Sequence, residues 1–195
     1  MRGAGVLLGL ALAGCRLEPT AAGTAAPGVV DTIEVVRVPA QTQDGQPAGP
    51  LFVGPAGLAV PVAGVGPDDL VDTFGDARSE GRVHDAIDIL APRGTPVVAA
   101  AAGTVGRLFA SERGGLTVYV LDGQIVFYYA HLDAYAPGLA AGRRIARGEV
   151  LGTVGSTGNA SPEAPHLHFA VWRAESAASF WDGEAVNPYP LLTGR

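Results

Sequence analysis

Residues 165–172 read PHLHFAVW, and they alternate in a way that is typical of a half-buried strand. In an extended strand, side chains two residues apart point to the same face. His166 and His168 therefore project together, while Leu167 and Phe169 point to the opposite face. The stretch predicts a strand over 166–172 that presents a pair of imidazoles on one side and packs apolar side chains on the other.

The remainder of the chain is typical of a protein built from short strands. Its 28 glycines and 15 prolines favour tight turns over long helices, and Asp122-Gly123 suits a two-residue hairpin turn. No long window has clean helical periodicity, so we predict a mainly antiparallel β domain with little helix. The predicted strands are 86–90, 96–100, 104–109, 116–121, 124–130, 150–154 and 166–172, and 33–38 is a further short candidate.

Composition excludes several classes of function. All 13 basic residues are arginine, so chemistry that needs a lysine amine is excluded. A single cysteine, Cys15, allows neither an internal disulfide nor a thiolate metal site in the folded domain. The net charge of −6 and the absence of a basic patch argue against a nucleic-acid partner. The capacity to bind a metal therefore rests on histidines and carboxylates.

The four histidines fall in three short segments, and none is left over. His84 and Asp88 share a face if their segment is extended, and they can then oppose His166 and His168 across a sheet. Imidazole and carboxylate ligands together suit zinc. Simpler interpretations remain open, because His131 can be a packed residue, the His-x-His pair can be structural, and His84 with Asp88 can be a surface ion pair.

The N-terminus is typical of an export signal. Residues 1–14 combine Arg2 with an apolar run that is too short to span a membrane. Leu12 to Cys15 resembles the lipobox of bacterial lipoproteins, which predicts lipidation of Cys15. Residues 15–50 then form the lipidated N-terminus and a flexible tether. An ordinary secretory signal that ends near a cysteine is the alternative interpretation.

The histidine segments give the sequence a family resemblance. His84-x-x-x-Asp88 and His166-x-His168 resemble the motifs of the LytM/lysostaphin-type zinc metalloendopeptidases, which cut peptide cross-links in bacterial peptidoglycan. The resemblance makes His84, Asp88 and His168 the zinc ligands, and it makes His131 and His166 catalytic residues that do not bind zinc. It covers about residues 58–192 and is supported by the further segments 72–78, 91–97, 152–160 and 187–189.

The same resemblance implies a domain at 51–192 whose antiparallel sheet forms a half-barrel sandwich with a lipoyl-like half. One departure from the family is Ala86, which stands where many members have glycine. Since a methyl group is a small addition, we expect the site to tolerate it. The resemblance does not decide whether His131 or His166 is the general base.

The predicted function is that of an exported zinc endopeptidase. Its expected partners are a peptidoglycan peptide and, through the lipid on Cys15, a membrane, and we expect a monomer on the periplasmic face of the outer membrane. A non-catalytic wall-binding or regulatory lipoprotein of the same fold is the alternative. A biotinyl or lipoyl carrier, which the Gly-Thr-Val-Gly patterns resemble, is excluded because it needs a lysine.

The substrate groove is expected between glycine-rich loops. Segments 72–82, 110–115 and 155–165 are predicted to line its rim. If the strand that leads to His131 alternates regularly, Tyr129 shares the face of that histidine and reaches the groove, whereas Tyr128 packs into the core. Ser156, Thr157 and Asn159 can contact a bound peptide or simply form turns.

Overall fold

A computed structural model describes residues 34–36 and 49–195 of the chain. The predicted signal segment at 1–14, the predicted lipidation site Cys15 and most of the predicted tether at 15–50 lie outside the described residues. In the part of the chain that is described, no helix is long and apolar enough to cross a bilayer.

Strands account for most of the regular structure among the described residues. Three short 3₁₀ helices lie at Pro67–Asp69, Ser79–Gly81 and Ala177–Ser179, and one α-helix, α1, covers Pro188–Thr193. The strands are β1 (Glu34–Val36), β2 (Leu51–Val53), β3 (Ile87–Leu90), β4 (Pro96–Val98), β5 (Gly103–Ser111), β6 (Gly115–Asp122), β7 (Ile125–Tyr135), β8 (Arg144–Ile145), β9 (Val150–Val154), β10 (His166–Ala174) and β11 (Gly183–Val186).

The strands form a nine-stranded antiparallel sheet and a separate two-stranded ladder of β1 and β2. The main path of the large sheet runs β11-β10-β7-β6-β5-β8, with β3 paired to β10 and β9 paired to both β7 and β4. Strand β10 pairs through its first half with β3, through its second half with β11, and with β7 along its opposite edge. The prediction of a mainly antiparallel β fold with little helix is confirmed.

The sequence missed three of these strands. Strands β2 and β8 are only three and two residues long, and β11 carries a glycine, a glutamate and an alanine, which have weak β propensity. Each pairs with a strand distant in sequence or across a loop, so the pairing comes from tertiary context rather than from local pattern. Strand β7 also extends to Tyr135, past its predicted end at residue 130.

The core lies against the face of the sheet opposite the histidines of β10. Leu167 and Phe169 are fully buried, as the alternation in PHLHFAVW predicts, and Val171 is almost so. Burying side chains of this kind contributes about 1.5–3 kcal/mol each relative to exposure. The strand therefore holds its imidazoles in place by anchoring the residues between them in the core.

Strand β7 contains a bulge at His131. Tyr129 pairs with Val118, but the next ladder pair joins Leu132 to Leu116, so two residues of β7 oppose one residue of β6. His131 lies within this bulge and is the only non-glycine with positive φ, at 60°, among the described residues. Such an insertion reverses which face later residues of the strand address.

The expectation for the two tyrosines was wrong because of this bulge. Tyr129 is completely buried in the core, and its hydroxyl accepts a hydrogen bond from the backbone N–H of Ala100 at 2.9 Å. Tyr128 instead lines the open groove that His131 faces. Regular alternation fails here, since the extra residue lies between Tyr129 and the residues that follow.

The Tyr129 hydroxyl provides a test of this packing. Tyr129→Phe leaves the buried N–H of Ala100 without its acceptor, so we expect the free energy of unfolding to fall by about 1–3 kcal/mol. Urea unfolding followed by circular dichroism measures the change. Tyr135→Phe is the control, because that hydroxyl lies near the surface, where water can replace it on the carbonyl of Phe109. Equal stability of Tyr129→Phe and the wild type would contradict the assignment.

Candidate metal centre

Pairing of β3 with β10 places a carboxylate opposite an imidazole. His168 is the direct cross-strand partner of Asp88. His84 precedes β3, and its backbone is fixed by hydrogen bonds with Asp76 and Gly75. Its side chain lies next to those of Asp88 and His168. The structure thus brings together the three residues that the family resemblance implied as metal ligands.

The three donor atoms form a nearly equilateral triangle. His84 Nε2 lies 3.1 Å from His168 Nδ1 and 3.2 Å from Asp88 Oδ1, and the remaining side, from His168 Nδ1 to Asp88 Oδ1, measures 3.1 Å. Zinc with bonds of about 2.0–2.1 Å and tetrahedral angles separates its ligand atoms by about 3.3 Å. Two imidazole nitrogens and one carboxylate oxygen at these separations therefore fit a divalent transition metal.

Thr73 forms hydrogen bonds with two of these residues, His84 and Asp88. Its carbonyl oxygen lies 2.8 Å from His84 Nδ1, and because a carbonyl can only accept, Nδ1 carries the hydrogen and Nε2 keeps its lone pair for a metal. Its hydroxyl accepts from the backbone N–H of Asp88 at 3.0 Å. Sequence reasoning missed Thr73, because no local pattern links it to residues 11 and 15 positions further along the chain.

The charge state of the site suits a cation. Burial on its own would raise the pKa of Asp88, but the adjacent imidazoles of His168 and His84 outweigh it and hold that pKa far below its usual range. Burial lowers the pKa of His168. At neutral pH the site therefore presents a carboxylate and a neutral imidazole, which are the protonation states that metal ligands require.

The remaining two histidines lie beside this triangle. The ring of His131 is centred 5.0 Å from that of His166 and 5.6 Å from that of His168. His131 donates Nδ1–H to the carbonyl of Thr157, and His166 donates Nδ1–H to the carbonyl of Ala164, both at 2.8 Å. Each ring is thus held at one nitrogen by the backbone, and His166 Nε2 lies 3.8 Å from Asp88 Oδ1.

Two loops lock the position of His131. Thr157 accepts a hydrogen bond from the N–H of Leu116 and donates its own hydroxyl to the carbonyl of Leu132. Gly158 has a φ of 75°, and a Cβ there would lie 2.3 Å from the carbonyl oxygen of Arg113. The structure therefore favours a positioning role for Thr157 over direct contact with a ligand, while Asn159 lines the groove.

The cluster lies in a groove of about 800 Å³. The groove includes residues from each of the three segments predicted to rim it, namely 77–79 and 82, 113–114, and 159–161. A fourth side of the groove was not predicted. It is formed by the β10–β11 connection and the start of β11, and Trp181 in this connection is 60% exposed. The other residues of that side are Asp182, Gly183 and Ala185, and Trp172 lies beside them on β10.

A sheet that carries two histidines, one aspartate and two further imidazoles in an open groove is the arrangement of a metal-dependent hydrolase. The family model described as Peptidase family M23 matches residues 82–188, which are more than half of the chain. The chain belongs to peptidase family M23, whose members are metallopeptidases. The resemblance seen in the sequence is thereby confirmed.

Individual relatives agree with this membership. The L-Ala–D-Glu endopeptidase of Bacillus subtilis (strain 168) is 34% identical over 128 residues, which are 62% of this chain and 38% of that protein. The DD-carboxypeptidase/endopeptidase Mpg of Neisseria meningitidis serogroup B is 40% identical over 110 residues, which are 55% of this chain and 22% of that protein. The chain therefore spans less than half of the length of these two relatives.

A solved structure extends the comparison to the fold. The catalytic domain of the antimicrobial peptidase lysostaphin from Staphylococcus simulans matches with a TM-score of 0.53 and 26% sequence identity. The match covers 65% of this chain and 94% of that catalytic domain. Nearly the whole of that domain therefore has its counterpart in this chain.

The protonation of His131 gives a test of the site. Burial lowers the pKa of His131 to about 4, whereas histidine in an unfolded chain has a pKa of about 6.5. Between these values the unfolded chain binds a proton that the folded protein does not, so the free energy of unfolding falls as the pH falls. In His131→Asn we expect the slope of this fall in metal-free protein to be shallower by up to about 1.4 kcal/mol per pH unit.

Urea unfolding at several pH values from 4 to 6.5 measures both slopes. Tyr128→Phe serves as the control, since it changes a neighbouring residue of the groove without removing a group that titrates in this range. Identical slopes for wild type and His131→Asn would show that His131 has the same pKa in the folded and unfolded states.

Proposed function

We propose that this chain is an exported zinc metalloendopeptidase that hydrolyses peptide cross-links of bacterial peptidoglycan. The observation that carries the proposal is the triangle of His84 Nε2, Asp88 Oδ1 and His168 Nδ1, with sides of 3.1–3.2 Å, at the base of an open groove. Membership of peptidase family M23 supports the reaction class.

The choice of zinc is supported by the donor set. Two imidazoles and one carboxylate leave a further coordination position open, which is typical of catalytic rather than structural zinc sites. Zinc bound by His84, Asp88 and His168 would polarise the scissile carbonyl and lower the pKa of the attacking water. No cysteine within the described residues competes as a softer ligand, since the chain's one cysteine is Cys15.

The two remaining histidines take different roles in this proposal. His131 is neutral near pH 7 and uses Nδ1–H on Thr157, so its Nε2 can only accept a hydrogen bond, and it orients the attacking water. His166 donates Nδ1–H to the Ala164 carbonyl in the same way, so its Nε2 would donate to the oxyanion formed from the peptide carbonyl only after taking up the proton that the attacking water releases. Its bond to the Ala164 carbonyl keeps that nitrogen directed away from the backbone.

Peptidoglycan as substrate is supported by a relative from Vibrio cholerae that is named as a peptidoglycan DD-endopeptidase. The names of the two relatives described above agree with it. One is an L-Ala–D-Glu endopeptidase and another a DD-carboxypeptidase/endopeptidase, so both are peptidases for bonds that involve D-amino acids. The groove is lined by four segments of the chain and is open to solvent, which suits an extended peptide rather than a compact ligand. If Cys15 is the lipidated residue of an outer-membrane lipoprotein, the D-Ala–diaminopimelate cross-link is favoured among the possible bonds.

The proposal includes the cellular location. Lipidation of Cys15 would anchor the chain to a membrane through its N-terminus. In some bacteria an aspartate after the lipidated cysteine retains a lipoprotein at the inner membrane, so Arg16 at that position favours the periplasmic face of the outer membrane. The segment that precedes β1, residues 16–33, would then give the domain reach toward the wall. Incorporation of labelled palmitate into the wild type but not into Cys15→Ser tests the anchor, and equal labelling would refute it.

Activity and metal dependence are tested together. Purified protein incubated with defined cross-linked muropeptides should release uncross-linked products, identified by mass spectrometry. A chelator should abolish the release, because the site loses the ion that activates water and carbonyl, and added Zn²⁺ should restore it. An unchanged profile from protein shown by elemental analysis to hold zinc would favour the non-catalytic wall-binding alternative.

A second prediction separates the ligands from the other histidines. His168→Ala should lose zinc on dialysis, because it removes one of three ligands. His131→Ala and His166→Ala should keep zinc while the rate falls about 10²–10⁴-fold, the usual contribution of general acid–base groups. Elemental analysis and muropeptide turnover on the same samples provide both readouts. Loss of zinc from His131→Ala would contradict the division of roles.

A further inference from the structure

Arg78 puts a positive charge next to a site that would bind a cation. It follows the segment that includes Thr73 and precedes the 3₁₀ helix Ser79–Gly81. Its backbone N–H donates to the carbonyl of Arg82 at 2.9 Å, and Ala77 forms a β-bridge with Val83. The backbone is thus anchored at Arg78 and at the residue before it, and the Arg78 side chain lines the groove and contacts Asp88.

The guanidinium contacts the oxygen of Asp88 that faces away from the triangle. Arg78 Nη2 donates to Asp88 Oδ2 at 2.5 Å. The other oxygen, Oδ1, is the atom that lies 3.1 Å from His168 Nδ1 and 3.2 Å from His84 Nε2. The two oxygens of one carboxylate therefore have separate partners, an arginine on one side and the candidate metal position on the other.

A second contact of Arg78 needs interpretation. Its Nη2 also lies 2.6 Å from His84 Nδ1, but the same Nδ1 lies 2.8 Å from the Thr73 carbonyl. A guanidinium only donates and a carbonyl only accepts, so one Nδ1 cannot serve both. When Nε2 of His84 binds a metal, Nδ1 carries the hydrogen and bonds to Thr73. The contact of Arg78 that is compatible with metal binding is the one with Asp88.

Carboxylates can bind metals through one oxygen or through two. An oxygen that accepts a short, charge-assisted hydrogen bond from a guanidinium is less available as a second ligand atom. With Oδ2 engaged and the backbone N–H of Asp88 bonded to Thr73, rotation of the carboxylate is restricted. The cost of placing a cation nearby is moderated because the Arg78 side chain is 37% exposed to solvent.

We propose that Arg78 is a positioning residue that holds Asp88 as a one-oxygen metal ligand and keeps the adjacent coordination position open. This inference rests on the proposed metal site and adds a determinant of its affinity and coordination number. It predicts the opposite sign from simple electrostatics, since removing a positive charge near a cation would otherwise tighten binding. The sign of the change in metal affinity therefore separates the two effects.

The experiment measures zinc affinity rather than activity. We expect Arg78→Met to raise the Kd for Zn²⁺ about 10–100-fold, the usual effect of losing a partner of a metal ligand. Arg78→Lys, which keeps the positive charge but not the planar guanidinium, should give an intermediate Kd. The matched control is Arg143→Met, which removes an arginine paired with Glu149 at 2.6 Å outside the groove and should leave the Kd unchanged. Competition with a chromogenic chelator gives the Kd values.

Two further measurements exclude a merely structural role. The melting temperature of metal-free Arg78→Met should match that of the control variant. The visible absorption of Co²⁺-loaded Arg78→Met should be weaker than that of the Co²⁺-loaded wild type, as expected if Asp88 becomes bidentate and the coordination number rises. A lower melting temperature with an unchanged Kd would show that Arg78 only anchors its loop, and would overturn the proposal.

The outcomes also separate this inference from the proposed function. If the wild type binds Zn²⁺ but Arg78→Met binds it equally well or more tightly, the positioning role is wrong and the proposed function stands. If the wild type does not bind Zn²⁺, both are wrong. Should Arg78→Met fail to fold, Arg78→Lys decides alone, and an unchanged Kd in that variant overturns the proposal.

Discussion

The site depends on the antiparallel pairing of β3 with β10. Because His168 and Asp88 are direct cross-strand partners, their side chains leave the sheet on the same face at the same level. Leu167 and Phe169 fix this register, since a slip of one residue would exchange the buried side chains for the imidazoles. Burial of two apolar residues thus determines where two polar residues meet, although their segments are separated by 80 positions in sequence.

A second constraint comes from the bulge in β7. Regular alternation would have directed His131 and Tyr129 to the same face. Because of the inserted residue, Tyr129 is buried in the core while His131 lines the groove. The left-handed backbone of His131, with φ of 60°, is unusual for a residue other than glycine. Non-glycine residues in this conformation are often found at functional sites, where the surrounding structure holds them in place.

Sequence reasoning predicted the candidate ligands and the neighbouring histidines, but not the residues that hold them in place. Alternation in PHLHFAVW grouped His166 with His168, because strand periodicity is local, but the choice of His84, Asp88 and His168 as ligands came from the family resemblance. His84 precedes β3, so strand alternation does not relate it to Asp88. Thr73 and Arg78 were not predicted, because their contacts with Asp88 cross a loop and depend on tertiary folding. Strand β11 and the side of the groove at Trp181 were missed for the same reason, since β11 exists only by pairing with β10. Its local sequence has weak β propensity.

The side of the groove beyond β10 also gives the protein an optical property. The chain has two tryptophans, and both Trp172 and Trp181 line the groove rather than the core. The indole of Trp172 is held by a hydrogen bond to the carbonyl of Phe180 at 2.7 Å, whereas that of Trp181 is mostly in solvent. Tryptophan fluorescence of the protein therefore comes from side chains that line the groove, so occupancy of the groove can be followed without an attached dye.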